Sequence, residues 1–169
     1  GNITYVPWGF GVDGDFFPLV GDFDGDGKND FCIQGSNPSA PTQGLFYLAK
    51  SAGGIEYVNW GLSSDFLIPG DYDGDGKADI CVRRTVSGAR QHFLLTRTGA
   101  TSQVQWGITG DSSAPGDYDG DGKTDFAIWR PNADPSQNYF WVSNSSNGST
   151  TVREWGQQAD FPVAGWAVH

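Results

Sequence analysis

An all-β fold built from three copies of a four-stranded unit is what the sequence predicts, and three observations predict it. The 169 residues include 25 Gly and 9 Pro beside 14% aromatic residues, with 7 Trp and no Met. Turn formers mixed with aromatic and β-branched residues describe short strands joined by tight turns. No stretch sustains a 3.6-residue apolar period, so no helix is expected. Finally, the segment Gly-Asp-Phe-Asp-Gly-Asp-Gly-Lys-Asn-Asp-Phe over 21–31 returns over 70–80 and 116–126, its starts 49 and 46 residues apart.

Each unit reads as four strands in order. The first leads into the acidic segment (17–20, 67–69, 113–115), and the second leaves it (30–34, 79–83, 125–129). The third alternates and is aromatic (45–49, 92–96, 139–143), carrying Phe46, Phe93 and Phe140 at a constant spacing of 47. The fourth (55–60, 102–106, 151–155) ends in the Trp of a Trp-Gly pair, at Trp60, Trp106 and Trp155, and an earlier pair stands at Trp8. The recurring Trp and Phe residues read as core. A four-stranded unit of about 40–50 residues is the signature of a β-propeller blade. The expected blades span 17–60, 66–106 and 112–155 of a single repeat domain. Residues 3–8 look like a fourth strand with no blade before it, and 161–168 like a first strand with none after it. These orphans either pair as a short closing blade, or are completed by another copy of the chain, or belong to a longer array.

The formal charge is −10, from 20 acidic and 10 basic residues, which argues against nucleic acid, a partner that calls for a basic face. Twelve of those acidic residues sit in the three repeated segments, four in each. Three bound Ca²⁺ would bring the net to about −4, so the acidity reads as a metal requirement. No apolar run approaches the ~18 residues of a membrane span. No signal peptide stands at the start, so the chain is expected to be cytoplasmic or already mature. Cys32 and Cys81 occupy matching places in two units and Ala127 in the third, so the position wants a small buried side chain. Free core thiols are expected there, with a disulfide between neighbouring units as the alternative.

In Asp-x-Asp-Gly-Asp-Gly-Lys-x-Asp, carboxylates occupy positions 1, 3, 5 and 9. Ca²⁺ is a hard cation that takes six to eight oxygens, and a tight loop can wrap it with alternating side chains. The candidate ligands are Asp22, Asp24, Asp26 and Asp30; Asp71, Asp73, Asp75 and Asp79; and Asp117, Asp119, Asp121 and Asp125. Lys28, Lys77 and Lys123 at position 7 would offer a backbone carbonyl while the ammonium points to solvent. Asp30, Asp79 and Asp125 are the candidates for a bidentate ligand. The loop differs from an EF-hand, whose position 12 would be Glu, because Ile33, Val82 and Ile128 stand there and begin no helix. Asp and Gly also make good turns without metal, but three copies on one frame favour the metal reading.

These motifs, together with the Trp-Gly pairs, resemble the FG-GAP/VCBS repeat family, whose blades form the calcium-binding β-propeller of integrin α subunits and some secreted lectins. The resemblance covers nearly the whole chain. It implies three Ca²⁺ that stiffen the scaffold and an extracellular setting, secreted or on the cell surface.

Residues that break the repeat are the candidates for ligand contact: Trp129 where the other units have Gln34 and Arg83, Trp141 in place of Tyr47 and Leu94, and Tyr139 in place of Leu45 and His92. Aromatic faces stack on sugars, and Arg83, Arg84 and Arg130 could bond hydroxyls or carboxylates, although packing and solvated charge also account for them. His92 and His169 stand in unrelated contexts, and no nucleophile elbow, zinc motif or phosphate loop is present. Glu56 and Glu154 read as isolated strand residues, so no enzyme is expected. Asn2, Asn144 and Asn147 head glycosylation triplets, which matter only in a eukaryotic host. The expected role is a calcium-stabilised extracellular module for adhesion or protein–protein contact. A carbohydrate-binding lectin and an ancillary domain of a larger secreted enzyme are the alternatives. Its partner would be a protein or a glycan, with a homo-oligomer or further blades in a longer chain left open.

Overall fold

A computed structural model of the protein describes residues 16–132, 134, 137–157 and 159–163. Among them are twelve strands and no helix, arranged as three four-stranded antiparallel meanders. The first sheet holds β1 (Phe16–Gly21), β2 (Asp30–Asn37), β3 (Ala40–Ala49) and β4 (Ile55–Leu62). The second holds β5 (Phe66–Leu67), β6 (Ile80–Val86), β7 (Ala89–Leu95) and β8 (Thr101–Ile108), and the third β9 (Ser112–Ser113), β10 (Phe126–Arg130), β11 (Tyr139–Ser143) and β12 (Thr150–Glu154). Each sheet pairs its strands in chain order, as propeller blades do. Of the two expected orphan strands, 3–8 lies outside the described residues, as does 164–168 of the second, whose described part, Phe161, Pro162 and Val163, forms no strand.

The first strands differ in length for a reason the sequence carries. β1 runs to Gly21, whereas β5 and β9 stop at two residues. Pro69 and Pro115 stand where the first blade has Val20, and proline donates nothing to a ladder. The pairing resumes beyond them, at Gly70 with Asp79 and Gly116 with Asp125.

The core lies between blades. Phe23, Cys32, Phe46 and Leu48 of the first blade pack on Leu67, Ala78, Ile80 and Val82 of the second. Ile68, Tyr72, Cys81 and Leu94 of the second pack with Phe126 of the third. Cys32 and Cys81 are free and buried, and burial pushes the Cys32 thiol up to about 12. Ala127, in the third copy of that place, is buried too.

The strand register corrects the constant Phe spacing. Gln34, Arg83 and Trp129 pair with Phe46, His92 and Phe140, so His92, not Phe93, is the counterpart of Phe46. Phe93 aligns with Tyr47 and Trp141, and it packs against the core shared by the first two blades. Trp141 therefore continues an aromatic position instead of breaking it. Glu56 is not isolated either: Arg97 of the second blade and Lys50 of the first both pair with it, at 2.8 Å and 2.6 Å.

Candidate metal centres

Each acidic loop is shaped by its own first carboxylate. Asp22 accepts the amides of Gly25 at 2.6 Å, Asp26 at 3.1 Å and Gly27 at 2.7 Å, and Asp71 repeats all three bonds in the second loop. Asp117 accepts those of Gly120 and Gly122. Drawing successive N–H groups toward one carboxylate requires left-handed backbone at positions 4 and 6. Glycine supplies it in every copy, as at Gly25 (φ 83°) and Gly27 (φ 80°).

The ninth position clamps each loop to its blade. Both oxygens of Asp30 are engaged, Oδ2 by the amide of Phe23 at 2.9 Å and Oδ1 by that of Ser51, in the β3–β4 turn, at 2.6 Å. Asp79 takes the amides of Tyr72 and Arg97, and Asp125 those of Tyr118 and Ser145, in the same sense. The three aspartates are fully buried. Each oxygen still has a lone pair for a cation.

Three carboxylate groups result: Asp22 with Asp24 and Asp30, Asp71 with Asp73 and Asp79, and Asp117 with Asp119 and Asp125, each offering oxygens within 4.8 Å of one another. The position-5 aspartates stand apart from them. Asp26 binds Lys28 Nζ at 3.0 Å and Ser51 Oγ at 2.9 Å, and Asp121 accepts from Ser145 Oγ with both oxygens and from the Lys123 amide at 2.8 Å. The Lys28 ammonium thus folds back on its own loop. The stem of Lys77 instead lies over Gly25, and that of Lys123 over Gly74.

The donor set fits a hard divalent cation. Among the described residues no lysine or arginine pairs with the three-carboxylate groups, whose oxygens are the ligands Ca²⁺ prefers. Burial pushes the Asp79 carboxyl up to about 6; the amides of Arg97 and Tyr72 oppose this, while Asp73 and Asp71 add to it. A bound cation would supply the missing positive charge. Asp22, Asp24 and Asp30 and their counterparts would hold it, and the chemistry it would supply is cross-linking of loop to strand.

The residues singled out for ligand contact separate into two kinds. Trp129 is buried, and its indole N–H donates to the Trp155 carbonyl at 3.1 Å. Arg130 holds Asp111 through two bonds of 2.8 Å and lies over the Trp141 ring, 5.6 Å from its centre. Those two residues line a cleft of about 260 Å³ with Trp106 and Thr150. Arg83 donates to Ser113 at 2.7 Å and lines a larger cavity of about 730 Å³, walled by the first strands of the blades. Tyr139 sits half-buried at the end of β11. Sequence reasoning missed Asp65, Asp111 and Asp160. They accept the amides of Leu62, Ile108 and Gln157 and so close the turn after each fourth strand. Their signal was present: each follows a Trp-Gly pair at one fixed distance.

Serial antiparallel blades with an acidic loop between the first two strands of each define a propeller-type repeat protein. Residues 71–128 match the model of the FG-GAP-like repeat and 109–152 that of the FG-GAP repeat, so the second and third blades carry FG-GAP repeats. The first blade, outside both matches, repeats the same loop bonds. No curated protein matches the chain.

Proposed function

We propose that the chain is a calcium-stabilised, extracellular, non-enzymatic binding module that mediates adhesion or protein–protein contact. The observation that carries this reading is the threefold clamp: the buried aspartates at position 9 tie each acidic loop to the β-turn of its own blade, so a cation in the loop would stiffen the whole blade. Calcium is then structural. Extracellular modules bind it at roughly 10⁻⁴–10⁻³ M, a range matched to the fluid outside cells. Stiffened blades would leave the turns between strands as the recognition surface. Among the described residues no helix is long and apolar enough to cross a membrane.

Native mass spectrometry of the calcium-stripped chain, titrated with Ca²⁺, tests the reading. Three retained ions with a rise in melting temperature support it. No retention with an unchanged melt means that the loops are turns and nothing more.

A lectin is the second reading, favoured by the cleft of Trp106, Trp141 and Arg130, where an aromatic face meets a guanidinium. A glycan array probed with wild type and Trp141→Ala decides it. Binding that the substitution removes supports a lectin, and silence across all sugars rejects it. An ancillary role beside an enzyme would show as catalytic sequence in the same gene.

A further inference from the structure

The second strands of the three blades carry Gln34, Arg83 and Trp129 at one register position, opposite Phe16, Phe66 and Ser112 of the first strands. Two of the three side chains are satisfied within the fold. Gln34 donates to the Asp65 carbonyl at 2.8 Å, and Trp129 to that of Trp155 at 3.1 Å. Arg83 is not. Its Nη1 donates to Ser113 Oγ at 2.7 Å and its guanidinium lies over the Phe66 ring, but its Nε is buried without a partner. Among the described residues no carboxylate pairs with it.

A second guanidinium lines the same cavity. Arg90 of β7 stands where the first blade has Gly44. It donates to Thr85 Oγ1 at 2.7 Å and to the Asp111 carbonyl at 3.1 Å, both neutral oxygens, and its Nε too is buried without a partner. The carboxylates nearby are already neutralised: Arg84 pairs with Asp65 at 2.6 Å, and Arg130 holds Asp111 through two bonds of 2.8 Å. Two positive charges therefore stand in the wall of the 730 Å³ cavity with no counter-charge. Arg83 responds to this: burial, with the charge of Arg90 adding to it and that of Asp111 opposing, holds its pKa down at about 10.

The rest of the wall is of another kind. Leu19, Leu67 and Ile68 line it with apolar surface, and Ser112 and Ser113 bring hydroxyls. A cavity of this size, mostly apolar with a few polar groups, is of the kind that takes a small molecule. We propose that it binds a small organic carboxylate, with the charged end on Arg83 and Arg90 and an apolar body against Leu19, Leu67 and Ile68. The planar guanidinium matches the two oxygens of a carboxylate, and a bound anion supplies the charge that the wall lacks. An inorganic anion, or the acidic side chain of a partner protein, would bring that charge without the body. The site does not depend on calcium in the loops.

Benzoate is the probe, with acetate, sulfate and the neutral isostere benzamide beside it, and calcium is present throughout. In the chain labelled with ¹⁵N at arginine, the Nε–H resonance of Arg83 is expected to move saturably as benzoate is added. Benzoate should also raise the melting temperature, because it binds the folded chain. Acetate, sulfate and benzamide should each bind at least tenfold more weakly. Arg83→Gln, which installs the residue of the first blade, is expected to raise the benzoate dissociation constant at least tenfold and to remove the rise in melting temperature. Should that variant fail to fold, the resonance and the series of probes on the wild type still decide. An Arg83 resonance that stays in place overturns the proposal, and so does Arg83→Gln binding benzoate as the wild type does. Benzamide as tight as benzoate would mean an apolar cleft without an anion site. Acetate or sulfate as tight as benzoate would mean a site for the charge alone, and either result rejects the small organic carboxylate.

Discussion

The backbone amide of Ala78 donates to the carbonyl of Asp22 across 2.6 Å, which joins the second acidic loop to the residue that organises the first. Thr124 does the same to Asp71. The loops are therefore in series, because a side chain that shapes one loop also fixes the carbonyl that seats the next. Chelating calcium is expected to speed hydrogen exchange at the Ala78 and Thr124 amides by at least tenfold, while the β6–β7 ladder exchanges slowly throughout. Exchange unchanged by chelation would mean that the loops hold their shape without metal.

The three sites differ in cover. Asp22 and Asp71 are buried under the following blade, whereas Asp117 is exposed. Charges near water interact through a higher effective dielectric and are screened by salt. The third site is expected to release calcium first as chelator rises, with an affinity roughly tenfold below the others. Asp117→Asn should remove that weakest phase and spare the other two. Loss of a tight phase instead would assign the weak site elsewhere.

Blade spacing depends on two glycines that no turn requires. A Cβ on Gly70 would lie 2.7 Å from the Thr124 side chain, and one on Gly21 would lie 2.9 Å from Ala78 Cβ. At Gly116 the nearest atom is an ordinary 3.4 Å away, in the Tyr118 ring. Gly70→Ala is expected to cost about 1–3 kcal/mol by overpacking. Gly116→Ala should cost under about 0.5 kcal/mol. Urea unfolding of both variants gives the comparison.

Most of the strand plan was legible because it rests on local signals. Alternation and turn residues placed β11 at 139–143 and the start of β4 at 55, where the structure has them. The acidic loops were legible because Asp and Gly at fixed offsets act within one loop. What the sequence hid are relations across blades. Nothing local says that Lys77 lies over Gly25 or that Arg97 reaches Glu56. The register of His92 was hidden for another reason: a Phe stood one residue away at a regular spacing, and a period-two strand turns a one-residue slip into the opposite face.

That register makes His92 the odd residue of the core. It occupies the place of Phe46 and Phe140, is almost wholly buried near the Phe126 ring, and its Nδ1 has no partner. Burial, helped by the charges of Arg83 and Arg90, holds its pKa down at about 4, while a bond with the Val104 backbone opposes this. The unfolded chain, with an ordinary value near 6.5, binds the proton more readily than the fold does. Stability is therefore full above about pH 6.5 and declines as pH falls toward 4. His92→Phe, which installs the residue of the sister blades, removes this contribution. In saturating calcium the stability difference between wild type and variant should change by about 2 kcal/mol between pH 7 and pH 5, in favour of the variant. A difference that stays constant with pH would mean that the imidazole takes up its proton within the fold.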